Sequence, residues 1–144
     1  MPDEFKEKRA AVEKVFSRYR LFKRLERMGS VTPETKITAS YEPRLHGNTN
    51  AISKPVEDAV IREMEITEQR RMMIATVEQA VELLDERERE IIQMRYMEKD
   101  YICDYHVRDQ LCIGHPTYRR RRDAAMEKLY VLLESVIMDE RCRV

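Results

Sequence analysis

An all-α fold is what this sequence predicts, and three observations predict it. Charged residues make up 38% of the chain and hydrophobic ones 42%, with 3 Gly and no Trp, a balance of surface-rich helices rather than of a packed sheet. Apolar residues recur at steps of three and four over long stretches. Near the C-terminus a short helical pattern, a tight turn containing Gly and a longer helical pattern follow one another, which is helix-turn-helix grammar. The length, 144 residues, suits one compact domain with an appendage rather than two full domains.

The elements follow in order. Pro2 and Asp3 start a helix in which Val12, Val15, Phe16, Tyr19, Phe22 and Leu25 line one face, until Gly29 ends it. Residues 30 to 56 hold Pro33, Pro43, Gly47 and Pro55 among Ser, Thr and Asn without a sustained period, and read as a linker. From about residue 56 to 84, Val60, Met64, Thr67, Ile74, Val77, Val81 and Leu84 form one narrow stripe. That seam packs on the chain's own helices or forms half of a coiled coil. Asp85 to Arg89 opens another helix, with Ile91, Ile92 and Met94 to Tyr96 turned inward, and Asp100 to Tyr105 breaks it. Val107 and Leu111 mark a short helix, Cys112 to Gly114 the turn, and Pro116 opens a last long helix through Tyr118, Ala125, Leu129, Leu132 and Val136.

The expected division is therefore residues 1–56, a basic N-terminal helix plus linker, and residues 57–144, a helical bundle with its helix-turn-helix at about 104–133. On this reading the last four helices supply each other's apolar partners, and the C-terminal part folds without the first helix.

The formal net charge of zero excludes a protein that coats nucleic acid through bulk positive charge, but the charges are segregated. Bases dominate from Lys6 to Arg27, acids from Glu57 to Glu90, and Arg119 to Arg122 run consecutively. On the last helix, at about 100° per residue, Tyr118, Arg122, Ala125, Leu129 and Leu132 share the core stripe. Pro116, Thr117, Arg120, Asp123 and Glu127 point outward, flanked by Arg119 and Arg121. The start of a second helix of this kind enters the major groove, while flanking cations meet phosphates. Thr117 and Arg120 thus fall where bases are read, and Arg119 and Arg121 where the backbone lies. Arginine suits both tasks because its planar fork bonds bidentately to guanine or to phosphate. Arg122 lays its stem across the core edge with its head in solvent or on a phosphate, and His115 is either a phosphate donor or simply an exposed first-turn residue. The expected DNA-binding set is Thr117, Arg119, Arg120, Arg121, Arg122 and His115.

The stretch LLDEREREIIQMRYMEKD followed by HVRDQLCIGHPTYRRRRDAAMEKLYVLL resembles region 4 of bacterial sigma factors. Leu84, Arg87, Glu88, Arg89, Arg95 and Tyr96 match its first part, and Leu111, Ile113, Ala125, Met126, Lys128 and Leu129 its second. With the tyrosine before the arginine run and the segment KITASYEP at residues 36 to 43, nearly the whole chain resembles the ArpU family. That resemblance implies a small phage or prophage transcriptional regulator linked to late genes for packaging and lysis. Two positions depart from the pattern: Gly114 stands where a Ser helix cap is usual, and His115-Pro116 replaces a polar pair. Glycine is a tolerable cap and proline fits a first helical turn, so the helix survives.

No catalytic constellation emerges. The imidazoles are His46, His106 and His115, no Gly-rich phosphate loop is present, and Glu88 and Glu90 fall on a helix expected to be solvated. Cys103, Cys112 and Cys142 lack metal-binding spacing and read as free thiols in a reducing compartment. The charged start and the lack of a long apolar stretch point to a cytoplasmic protein of the bacterial host, with no membrane partner, cofactor or metal. The sequence thus predicts a non-enzymatic regulator with double-stranded DNA as partner. It leaves open contact with RNA polymerase or sigma factor, and a homodimer. The competing readings are a small-terminase-like packaging protein and a helical adaptor of RNA polymerase or sigma factor that does not touch DNA.

Overall fold

The structure is a computed structural model and describes residues 2–29, 54–98 and 102–142, all of whose regular elements are helical. In order they are α1 (Pro2–Met28), α2 (Lys54–Glu82), α3 (Glu86–Ile92) continued by a π-helical turn (Gln93–Met97), α4 (Asp104–Gln110), α5 (His115–Leu132) and α6 (Glu134–Cys142). The protein is all-α, as composition and periodicity predict. Most of the expected linker, including KITASYEP, lies outside the described residues. Pro55, read as part of that linker, instead stands in the first turn of α2, where its missing N–H is no loss.

Local chemistry sets the helix ends. Asp3 and Glu4 occupy the first turn of α1, where negative charge favours the helix dipole. Gly29 ends it at φ +70°, its N–H bonding the Glu26 carbonyl at 3.2 Å. The end of α2 is met from the next helix: the Arg89 guanidinium donates to the O of Glu82, its last residue, at 2.8 Å and to Leu84 O just beyond at 3.1 Å.

One core joins the described helices other than α4. Val12, Val15 and Phe16 of α1 are fully buried among Ala125, Met126 and Leu129 of α5, with Ile74, Val77 and Val81 of α2 alongside. Phe16 stacks on Tyr96 of the π turn with centroids 5.3 Å apart. A second, smaller cluster of Ile91, Val107 and Tyr118 lies under α4 and is flanked by Leu111 and Ile113.

Three buried tyrosines have their hydroxyls answered by carboxylates: Tyr19 donates to Glu78 at 3.0 Å, Tyr96 to Glu13 at 3.1 Å and Tyr118 to Asp104 at 2.6 Å. Burial, reinforced by the neighbouring carboxylate, pushes all three phenols up, Tyr96 to about 12.

Several sequence expectations are corrected. The first helix is no appendage, since Val12, Val15, Phe16 and Tyr19 belong to the main core, so a boundary at residue 56 cuts through shared packing. The seam of α2 is buried only in its second half: Ile74, Val77, Val81 and Leu84 are covered, whereas Val60 and Met64 are 50% and 67% exposed. The last helix is interrupted at Leu133, whose φ of −100° and ψ of 12° turn the chain into α6. That turn buries Leu133 and Ile137 and leaves Leu132, placed in the core stripe by simple periodicity, 38% exposed. Glu88 is not solvated but 8% exposed, because Lys128 of α5 brackets its carboxylate at 2.9 and 3.0 Å.

Candidate nucleic-acid interface

The expected helix-turn-helix succession is present as α4, the turn at Leu111 to Gly114, and α5. The turn is closed by two backbone bonds, Cys112 N–H to Asp109 O at 3.1 Å and Ile113 N–H to Arg108 O at 3.2 Å, the pattern of a Schellman motif. Its left-handed residue is Cys112, at φ +52°. Ile113, next in the chain, packs into the cluster around Val107, which fixes the path into α5. Gly114 caps α5 without a side-chain acceptor, and Pro116 fills the first turn. The amides of that turn thus remain available to an external anion.

Asp104 ties the two helices together. Its carboxylate accepts from Tyr118 Oη at 2.6 Å, Arg95 Nε at 3.0 Å and Arg122 at 3.2 Å. Burial opposes its charge, but the Tyr118 hydroxyl and the two guanidinium groups outweigh this and hold the carboxyl below its ordinary value. Arg122 is further clamped by Asp123 at 3.0 Å and is 9% exposed. Grouped by sequence with the DNA contacts, Arg122 is corrected to a positioning residue, because both faces of its fork are already occupied by carboxylates.

The other members of the expected set remain at the surface. Arg119 has a side chain 67% exposed with only a long 3.9 Å contact to Asp123, Arg120 and His115 are exposed, and Thr117 and Arg121 are half-buried. The local reason is the helical period: Tyr118, Arg122, Ala125, Met126 and Leu129 take the buried face, which turns Arg120 away from the core. Between α4 and α5 lies a cleft of about 350 Å³ lined by Asp104, Tyr105, Arg108, His115, Tyr118, Arg119 and Arg122. Arg108 is a cleft residue that the sequence reading missed; its guanidinium lies 5.3 Å from the Tyr105 ring centroid. Its place one turn after Tyr105 on a helix preceding the turn is the signal that could have flagged it.

The residues that carry the expected likeness to sigma region 4 make structural contacts here. Glu88 pairs with Lys128, Arg89 caps α2, Arg95 holds Asp104, Tyr96 stacks on Phe16, and Ala125, Met126 and Leu129 are fully buried. Cys103, Cys112 and Cys142 are free thiols. The backbone amide and the ring of His106, whose Nδ1 is 2.8 Å from Cys103 Sγ, hold that thiol below its ordinary value. Among the described residues no three His, Cys, Asp or Glu side chains group as metal ligands, and no helix is long and apolar enough to cross a membrane. Compared with models of protein families, with curated proteins and with solved structures, the chain has no significant match.

Proposed function

We propose that the chain is a sequence-specific transcriptional regulator that binds double-stranded DNA, of the ArpU type, controlling phage or prophage late genes in the cytoplasm of a bacterial host. α5 enters the major groove, Thr117 and Arg120 meet base edges, and Arg119, Arg121 and His115 meet phosphates. The observation that carries this reading is the division of labour within the arginine run. Arg122 is spent on Asp104 and Asp123, locking α5 to α4, while Arg119 and Arg120 at the start of α5 stay exposed.

Binding to fragments of the source genome, measured between 50 and 200 mM salt, is expected to fall by about two to four orders of magnitude if roughly five to eight phosphates are engaged. Arg120→Ala should cost about 1 to 3 kcal/mol on the specific site and much less on random DNA, because a base contact carries the discrimination. Arg119→Ala should weaken both DNAs alike and lower the salt slope by about one unit. Salt-insensitive binding, or no binding to any fragment, overturns the proposal.

A further inference from the structure

From Pro55 to Gln69 every residue of α2 is exposed, and among the described residues this first half is an arm that only borders a groove with the end of α1, where Ala59, Glu63 and Ile66 face Phe22 and Leu25. Its sequence does not sustain such isolation. Val56, Val60, Ile61, Ile66 and Thr67 are β-branched and favour helix weakly, and a helix segment of about this length is marginal alone in water. The exposed apolar groups are also arranged. At about 100° per residue, Val60, Ile61 and Met64 fall on one stripe, and they are 50%, 47% and 67% exposed.

Two opposite charges bracket that stripe at equal distances. Glu57 precedes Met64 by seven residues and Arg71 follows it by seven, so both sit two turns away on the same face. Both are exposed, and neither makes an ion pair among the described residues. A parallel second helix would oppose Glu57 to Glu57 and Arg71 to Arg71. An antiparallel copy with its two-fold axis at Met64 opposes each Glu57 to the other chain's Arg71 and stacks the apolar centres. With its axis at Met64 the stripe is self-complementary in charge at both ends, which favours a second copy of this chain over an unrelated partner.

We infer that the protein forms a two-fold homodimer in which the α2 arms pair antiparallel about Met64, Glu57 of each chain meeting Arg71 of the other. The inference stands apart from the DNA-binding reading, since it uses none of the residues of α4 or α5.

Sedimentation equilibrium of the full chain tests it. A monomer–dimer equilibrium is expected, and Met64→Asp, which places a charge on the axis, should leave monomer. Glu57→Arg and Arg71→Glu should each weaken association by about tenfold or more, because the two-fold axis doubles every lost pair and adds repulsion. The double variant Glu57→Arg/Arg71→Glu restores both pairs with reversed sign and should associate within about threefold of the parent. Circular dichroism confirms that each variant keeps its folded body. Parent protein that stays monomeric into the millimolar range, single reversals without effect, or a double reversal as weak as the singles would each overturn the inference.

Discussion

Cys112 holds the left-handed position of the α4–α5 turn at φ +52°, in a conformation that costs a residue with a Cβ about 1–2 kcal/mol. Glycine adopts it freely but adds unfolded-state entropy worth about 0.5–1 kcal/mol. The balance favours glycine, so Cys112→Gly should raise stability by about 0.5–1 kcal/mol, read as a higher urea midpoint at unchanged slope. Cys112→Val, β-branched at the same angle, should lower it. A lower midpoint for the glycine variant would show that the Cys112 side chain contributes more than its backbone strain costs. Arg122 shows the same scale at work in the interface. It lies in a run of four arginines, yet the carboxylates of Asp104 and of its neighbour Asp123 decide its role.

Among the elements, the α4–α5 pair depends most on a single side chain. Asp104, in the first turn of α4, gathers Tyr118 and Arg122 of α5 and Arg95 of the π turn, so it fixes how α5 is presented. Asp104→Asn keeps the shape but removes the charge, and should cost about 1–2 kcal/mol, a figure reduced for the partial exposure of the site. Its pH dependence has a defined sign. The folded-state pKa of Asp104 lies below the unfolded value, so its contribution is complete above the unfolded value, about 4, and is lost as pH falls through the depressed folded value. Acid unfolding of the parent should therefore be steeper below about pH 4 than that of Asp104→Asn. Identical acid profiles would mean the carboxylate carries no differential charge stabilisation.

For the whole molecule, the decisive fact is that α1 shares the core of α2, α5 and α6. Val12, Val15, Phe16 and Tyr19 are all nearly inaccessible. At roughly 1.5–3 kcal/mol for each large apolar side chain, removing them forfeits roughly 6–12 kcal/mol as an upper bound, comparable to the whole stability of an ordinary domain. A fragment of residues 57–144 should accordingly lack a cooperative unfolding transition, whereas the full chain should unfold in one. A fragment that melts cooperatively near the parent temperature would restore the boundary at residue 56.

The helical class, the first helix with its end at Gly29 and the placing of the turn before α5 could all be read from the chain. All of these follow from local rules: a period of 3.6, glycine at a left-handed cap, proline in a first turn. The exposure of Arg119, Arg120 and His115 on α5 was legible in the same way, because position on a helix follows from spacing. Packing between distant segments brings α1 into the core, buries Glu88 under Lys128 and commits Arg122 to Asp104. The partner of Glu88 stands 40 positions away in sequence, and Glu13 of α1, which Tyr96 bonds, stands 83 away from it. Periodicity reports which face of a helix is apolar, but not which distant charge or helix will cover it. For the same reason the apolar stripe of α2 looks uniform in sequence, although α1 and α5 cover one half of it and leave the other to solvent.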